Sequence, residues 1–124
     1  MPDAPDQSLP RAARLRKSRE FQEAFDQEQV AVGRFMVARL RTAADANLRL
    51  GIISSRKVGP AVDRNRARRR LREAWRRIRC QLRPSHDVLL IARRPIVTAS
   101  AVEVEAELLR LMTKLCVVRD QGED

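Results

Sequence analysis

The sequence predicts an α+β protein, a two-layer α/β sandwich whose elements follow the order helix, strands, basic helix, strand, helix. Its 124 residues, of which 44% are hydrophobic, suffice for one domain with one modest core. Three segments repeat apolar residues at spacings of three and four, which is typical of helices, and the runs between them are rich in β-branched residues. A sheet face and three apolar helix stripes bury one another most simply in a sandwich.

The chain is expected to begin its folded part near Leu15. Residues 1–13 contain three prolines and no apolar periodicity, so they are interpreted as a flexible tail. Ser18 is the expected N-cap of a first helix in the segment SREFQEAFDQ. This helix places Phe21 and Phe25 on one face because they are four residues apart.

Two strands are expected next, over residues 34–41 and 47–55. The short segment between them offers Asp45 and Asn47 as turn residues, so the two strands are predicted to pair as an antiparallel hairpin. The strand pattern stops at Gly59 and Pro60.

A long basic helix is predicted from about Ala61. Its apolar stripe recurs over some eighteen residues and consists of Ala67, Leu71, Ala74, Trp75 and Ile78. After Pro84, the segment DVLLIA (87–92) is predicted to be a strand buried on both faces. Ser100 and Glu103 form the capping box of a last helix. The single domain therefore spans residues 14–118, followed by an acidic tail, residues 119–124, that is expected to fray.

Positive charge is concentrated in one segment of the chain. The formal net charge is +10, and residues 56–79 contain eleven basic residues against two acidic ones. Arg64, Arg68 and Arg72, spaced by four, form a ridge along the helix, with Asn65, Arg69 and Arg76 on the adjoining strip. Like charges at this spacing destabilise a helix, so the ridge makes sense if an external anion neutralises it. The planar guanidinium group of arginine can donate two parallel hydrogen bonds to a phosphate group, which favours a nucleic-acid partner.

Several functional classes are excluded or disfavoured. There is one histidine, His86, and the acidic residues are dispersed, which disfavours a catalytic or metal site of the protein's own. Cys80 and Cys116 lie far apart and are expected to be buried, reduced thiols. The chain has neither a long apolar run nor the features of a secretory signal at its start, so a cytoplasmic protein is expected.

Three phenylalanines could add stacking surfaces to this basic face. Phe21, Phe25 and Phe35 are ordinary core candidates, yet the sequence is only 3% aromatic and all three precede the basic helix on neighbouring elements. On an open sheet face beside the arginines they would serve as platforms for unpaired bases.

The segment GIISSRKVGPAVDRNRARRRLREAWRR (51–77) resembles the signature of the bacterial ribonuclease P protein family. It has a strand ending in serine and two basic residues, then Val-Gly, Ala-Val and an Arg-Asn-Arg triplet that opens a basic helix. RLRKSREFQEAF (14–25) and HDVLLIARRP (86–95) are similar to the family's opening segment and later strand. The resemblance covers about residues 14–116.

The resemblance implies a ribosomal-protein-like sandwich with a left-handed βαβ crossover, which joins a large catalytic RNA. In this family the RNA hydrolyses precursor tRNA with Mg²⁺ bound mainly by the RNA, and no catalytic or metal-binding protein residue is expected. The residues implied to face the catalytic RNA are Arg56, Lys57, Arg64, Asn65, Arg66, Arg68, Arg69 and Arg72. The cleft implied to hold the single-stranded 5′ leader contains Phe21, Phe25, Phe35, Val37 and Ala38. Val37 and Ala38 stand near where the family often has an aromatic residue. No membrane and no obligate protein partner is implied.

Two other functions are compatible with the residues alone. A different RNA- or DNA-binding module, such as a ribosome-associated protein, would use the same basic helix. A basic amphipathic helix can also bind an anionic membrane surface. Trp75 distinguishes the membrane alternative, because a core tryptophan keeps its fluorescence when liposomes are added.

Overall fold

The computed structural model describes residues 11–115 and 117–118, and within them the chain forms three α-helices and four strands. The helices are α1 (Ser18–Asp26), α2 (Ala61–Ile78) and α3 (Ala101–Lys114). The strands are β1 (Val30–Val32), β2 (Met36–Arg41), β3 (Leu50–Ile53) and β4 (Asp87–Ala92). Residues 11–13, assigned above to the tail, form a single 3₁₀ turn, whereas residues 119–124 and Cys116 lie outside the described residues.

One mixed sheet with the strand order β1-β2-β4-β3 organises the fold. β4 lies between β2, to which it is antiparallel, and β3, to which it is parallel through the α2 crossover. The prediction that the segments containing β2 and β3 form a hairpin is therefore wrong. β4 is apolar after Asp87 and is buried except at the half-buried Ile91, which suits its position between two neighbouring strands. The actual hairpin joins β2 to β1, a three-residue strand too short to show a periodic pattern.

The main core lies between one sheet face and the helices α2 and α3. The α2 stripe predicted from the sequence is buried, and Trp75 is fully buried. Alternate strand residues, among them Met36, Leu40 and Leu90, complete this core. The α+β sandwich is confirmed, with the difference that α1 packs on the opposite sheet face rather than joining α2 and α3.

The helix N-caps agree only in part with those predicted from the sequence. The capping box of α3 is confirmed, because Ser100 Oγ accepts a hydrogen bond from Glu103 N–H and the Glu103 carboxylate accepts one from Ser100 N–H. For α1 the predicted N-cap, Ser18, is wrong: the N-cap is Lys17. The Glu20 carboxylate accepts from the N–H groups of Arg16 and Lys17 and so satisfies donors that precede the helix.

A buried charge network fastens α1 to its face of the sheet. Arg41, on β2, lies 2.6 Å from Asp87, on β4, and bonds Glu23 of α1 at 2.7 Å. Arg49 joins the same Asp87 at 2.9 Å and Glu20 of α1 at 2.9 Å. Asp87 also accepts from two main-chain N–H groups. Every charge in this network thus has an opposite charge as partner, which is the condition for tolerating such groups in an interior.

A second buried carboxylate fixes the β1–β2 turn. Glu107, on α3, accepts the main-chain N–H groups of Arg34, Phe35 and Met36 at 2.7–3.1 Å. Gly33 leaves the room for it, since a Cβ at that position would lie 2.4 Å from the Glu107 carboxyl carbon. The sequence analysis described the acidic residues, Asp87 and Glu107 among them, only as dispersed and gave no indication that these two are buried.

One cysteine prediction is also corrected. Cys80 is exposed, because it follows the last turn of α2 in the short 3₁₀ helix of residues 79–81, which buries none of its residues.

Asp87→Asn should destabilise the protein by about 3–5 kcal/mol, because it leaves the fully buried Arg41 guanidinium without its closest counter-charge. Urea unfolding monitored by Trp75 fluorescence measures the loss. Asp45→Asn is the matched control: Asp45 pairs with the same arginine, but its side chain is 55% exposed, so its loss should cost far less than the loss of Asp87. Equal costs for the two variants would contradict the central role of Asp87.

Stability should also fall in acid through Asp87. Burial alone would raise the pKa of Asp87, but hydrogen bonds from Arg49, from the Asn47 and Arg49 main-chain N–H groups and from Arg41 outweigh it, and the net pKa is lowered. A carboxyl group with a lowered folded-state pKa stabilises the protein above its unfolded-state pKa, about 4, and loses that contribution as pH falls further. Urea unfolding between pH 6 and pH 3 should show this decline, and Asp87→Asn should flatten it.

Candidate nucleic-acid interface

The basic residues of α2 occupy two surfaces that differ in burial. The apolar stripe faces the core, and a ridge of half-buried arginines (Arg64, Arg68, Arg72) runs along its flank on the side of β3. The other surface points away from the core and is called here the outer face; its polar residues are the exposed Asn65, Arg66, Arg69, Arg76 and Arg77 and the half-buried Arg70. The predicted positions on α2 are therefore brought together on one helix but divided between two environments.

The ridge is held against the end of β3 by main-chain contacts. Arg64 donates to the carbonyl of Gly59 at 3.1 Å, and Arg68 donates to Asn65 Oδ1 at 2.9 Å and to the Ser54 carbonyl at 3.4 Å. Ser54 Oγ in turn donates to the Arg64 carbonyl. Carbonyl groups neutralise no charge, so the ridge stays positive while its arginines are held in place.

A positive-φ glycine shapes the approach to α2. Gly59 has φ of 146°, in a region that residues with a Cβ rarely adopt, and a Cβ there would lie 2.8 Å from Asp63 Oδ2. Pro60 follows as the N-cap of α2. The tight turn leaves Arg56 and Lys57 exposed just before the helix, so positive charge continues from the loop onto α2.

The outer face is an open positive surface. A shallow depression is lined by Arg66, Arg69, Arg70 and Glu73. Although Glu73 lies three or four residues from four arginines, none of them is within ion-pair distance of it in the described part of the chain. Among the described residues, Arg77 is the one arginine of this face within ion-pair distance of a carboxylate, that of Glu105 at 3.7 Å. A helix with this much unneutralised like charge gains stability from a bound anion.

The sheet face that carries α1 is only partly covered. Strand register places Val32, Val37, Ile91 and Ile53 side by side across all four strands. We call this row the open row: Val32 is 58% exposed and the other three are half-buried. The next row, with Arg39 and Gly51, lies beneath Phe25 and Phe21 of α1. The result is an apolar cleft bounded on one side by α1.

Three of the five predicted cleft residues lie at this cleft. Phe21 is half-buried, Phe25 is 40% exposed, and Val37 belongs to the open row. The other two predictions are corrected. Ala38 points to the opposite face and is fully buried, because side chains alternate along a strand, and Phe35 precedes β2 and packs into the main core.

Sequence reasoning missed Arg39, which shares a sheet face with Val37. Its guanidinium lies 5.3 Å from the centre of the Phe25 ring and donates to the carbonyls of Phe25 and Gln27. Its Nε is buried without a hydrogen-bond partner. Val32, Ile53 and Ile91 were missed as well. Period-two alternation along β2 was the available signal, once Ala38 was recognised as a core residue.

The described residues show no cluster of candidate metal ligands. No group of three His, Cys, Asp or Glu side chains among them is placed to hold a metal ion. The buried carboxylates Asp87 and Glu20 already have partners. Burial alone would raise the pKa of each, but hydrogen bonds outweigh it and the net pKa is lowered. The donors to Asp87 are Arg49, two main-chain N–H groups and Arg41, and those to Glu20 are the main-chain N–H groups of Lys17 and Arg16 and the Arg49 side chain. Within the same residues, no helix is long and apolar enough to cross a membrane.

Comparisons with known proteins agree on one family. The protein-family model described as Ribonuclease P matches residues 9–116. The ribonuclease P protein component of Syntrophomonas wolfei is 36% identical over 106 residues, covering 86% of this chain and 89% of that protein. The component from Shouchella clausii is 38% identical over 106 residues, covering 85% and 87%.

Solved structures show the same fold. The RNase P protein of Staphylococcus aureus has a TM-score of 0.75 and 25% identity, covering 86% of this chain and 98% of that one. The RNase P protein of Thermotoga maritima has a TM-score of 0.72 and 28% identity, covering 82% and 96%.

Inorganic phosphate should raise the melting temperature of the protein more than chloride does at equal ionic strength, because a bound anion relieves the repulsion on the outer face. Thermal unfolding by circular dichroism measures the difference. The double variant Arg66→Gln/Arg69→Gln should lose most of the phosphate effect. The control Arg19→Gln, which removes an exposed arginine of α1, should keep it. An undiminished effect in the double variant would place the anion elsewhere.

Proposed function

The chain belongs to the bacterial ribonuclease P protein family, and on that premise we propose which surface serves each of its RNA partners. Ribonuclease P removes the 5′ leader of precursor tRNA, and this chain is the protein component of that endoribonuclease. Its partners are accordingly the ribonuclease P RNA and precursor tRNA. We assign the catalytic RNA to the outer face of α2 and the leader to the cleft along the open row.

The single observation that carries the first assignment is the unneutralised charge of the outer face. Arg66 and Arg69 are exposed and have no carboxylate partner in the described chain. Exposed Arg56, Lys57 and Asn65 extend the same surface toward the N-terminus of α2. Arginine forks bind phosphates in two-point contacts, and their release of counterions supplies much of the affinity for a polyanion.

The open row supports the second assignment. Four β-branched side chains form a flat apolar strip, and Phe25, stacked on Arg39, borders it. Unpaired bases bind such surfaces through stacking and apolar contact, whereas the faces of paired bases are stacked inside a duplex and cannot reach the strip. The chain contributes no hydrolytic group in this account: its residues bind and orient the two RNAs.

Mg²⁺ is assigned to the RNA rather than to the protein. The carboxylates of the described residues do not fit a metal site. No three candidate ligands cluster there, and the buried carboxylates are held by arginines or, in the case of Glu107, by three main-chain N–H groups. The protein's own contribution is to neutralise phosphates and so to reduce the magnesium concentration at which two polyanions come together. We also propose a cytoplasmic location, where its RNA partners are made.

The protein should stimulate cleavage of precursor tRNA by a bacterial ribonuclease P RNA at low magnesium, with the cut at the mature 5′ end. Gel analysis of end-labelled precursor measures rate and cleavage position. Arg66→Gln/Arg69→Gln should require a higher protein concentration for the same stimulation, whereas Arg19→Gln should behave as the wild type. Tight RNA binding without stimulation would refute the proposed function and leave α2 serving another RNA.

Affinity for the catalytic RNA should depend steeply on salt. Roughly six phosphate contacts predict a loss on the order of a thousandfold between about 50 and 200 mM salt, and somewhat less for single-stranded regions. Filter binding across that range gives the slope. Arg66→Gln/Arg69→Gln should make the slope of log affinity against log salt shallower by about two, one per contact removed. A shallow wild-type slope would contradict a phosphate-dominated interface.

A further inference from the structure

We propose that a groove at the outer edge of β3 is a subsite for one unpaired nucleotide of the leader. The groove has a volume of about 190 Å³ and lies between the start of α1, the edge of β3 and the ridge of α2. We call it the β3-edge groove. The residues that line it include Phe21, Gly51, Ile52, Arg68 and Arg72. The proposal rests on the proposed function and assigns Arg68 and Arg72 to the substrate rather than to the catalytic RNA.

The main chain of Ile52 gives the groove a hydrogen-bonding edge. The Leu50 carbonyl accepts from Leu15 N–H, and the Ser54 carbonyl accepts from Arg68, so both point to the outer side of β3. Because direction alternates along a strand, the N–H and C=O of Ile52 point to the same side. Within the described residues nothing bonds them. A base edge carries a donor beside an acceptor and can pair with both groups.

Phe21 supplies a flat apolar wall next to that edge. A Cβ at Gly51 would lie 2.9 Å from the Phe21 ring, so the glycine lets the ring rest directly on the strand. One part of the ring is buried there and the rest faces the groove, which agrees with its half-buried state. Stacking on such a ring tolerates any base.

Two arginines close the groove from the other side. Arg68 and Arg72 are half-buried, and no carboxylate lines the groove with them. Arg68 is oriented by Asn65 and the Ser54 carbonyl, neither of which removes its charge. A cationic fork facing an aromatic ring and a free main-chain edge matches the three parts of a nucleotide that proteins recognise: phosphate, base face and base edge.

The size of the groove and the residues around it determine which ligand it can bind. It is smaller than the roughly 300–1,000 Å³ of pockets that enclose a whole drug-sized ligand, so it suits a single base. Ile52 directly precedes Ile53 of the open row, so an RNA strand crossing the cleft reaches the groove at the next residue. Arg66, by contrast, is rotated about 200° around α2 from Arg68 and faces away from the groove. This continuity favours the leader over the catalytic RNA.

The test is an abasic scan of the leader in the reconstituted holoenzyme. Precursor tRNAs that each lack one leader base are cleaved in single-turnover reactions, and the protein-RNA concentration at half-maximal rate gives substrate affinity. With the wild type, removing the base at one position should weaken binding about tenfold, within the range for one stacked base. The variant Arg68→Gln/Arg72→Gln should bind intact precursor about tenfold more weakly than the wild type does. Removing the base at the sensitive leader position should then cause no further loss of affinity. Affinity for mature tRNA should not change.

Arg66→Gln/Arg69→Gln is the matched control, with two arginines removed from the outer face of the same helix. It should preserve the sensitive leader position while weakening assembly with the catalytic RNA. Phe21→Leu removes the aromatic ring but leaves the arginines of the ridge in place. It should also make substrate affinity insensitive to removal of that leader base, and thermal unfolding should confirm that this variant is folded.

Two results would overturn the inference. One is an abasic profile that is the same for wild type and Arg68→Gln/Arg72→Gln. The other is a loss of catalytic-RNA affinity in that variant with the leader effect intact, which would mean that the groove takes a nucleotide of the catalytic RNA. Both leave wild-type stimulation of cleavage untouched, so they are distinguishable from failure of the proposed function.

Discussion

The buried pair between Arg41 and Asp87 is the interaction on which the rest of the structure depends. Asp87 begins the central strand β4, and its carboxylate reaches β2 through Arg41 and the chain before β3 through Asn47 and Arg49. The two arginines extend the network to Glu23 and Glu20 of α1. Buried ion pairs of this kind are weak sources of net stability. We infer that their role here is to specify where α1 lies.

The position of α1 in turn creates the cleft. Its side chains cover the sheet row that contains Arg39 and Gly51 and stop before the open row. A helix shifted by one row would bury Val37 and Ile91 and leave no apolar strip for an unpaired strand. Glu107 fixes the other border, because it holds the turn between β1 and β2 and therefore the positions of Val32 and Val37. The cleft is thus bounded by two buried carboxylate networks that contact no ligand.

Much of the fold could be predicted from the sequence because its signals are local. The stripe of α2, the capping box of α3 and the apolar run of β4 all depend on spacing within one element, and all three predictions were correct. Strand order was not predictable in this way, because strand pairing joins segments that are distant in the sequence. In addition, β1 has only three residues, too few to show the alternation that identifies a strand. Ser18 failed for a similar reason: the donors before α1 are satisfied by Glu20, inside the helix.

The residues of the candidate site were likewise predictable only where the signal lies within one element. The arginines of α2 could be found because helical spacing assigns each residue a face. The cleft depended on strand parity, where an error of one residue exchanges the two faces of the sheet. Phe35 and Ala38 were therefore assigned to the cleft although they belong to the core, and Arg39 was overlooked although it lies beside Phe25. Asp87 and Glu107 gave no signal, since a lone acid looks the same whether it is solvated or buried.

The arginines of the protein fall into two classes, which accounts for how it would bind two RNAs differently under the proposed assignments. Arg41 and Arg49 are neutralised inside the protein and act on the fold. The arginines of α2, apart from Arg77, have no carboxylate partner among the described residues. Within α2, the outer face is dominated by arginines, with Asn65 and the exposed Val62 beside them, so under the proposed assignment it binds mainly through phosphate contacts. The ridge borders Phe21 and the free edge of Ile52, where charge, ring and main chain meet. We therefore place discrimination between unpaired nucleotides on the groove side of the helix, where a ring and a main-chain edge can contact a base as well as its phosphate.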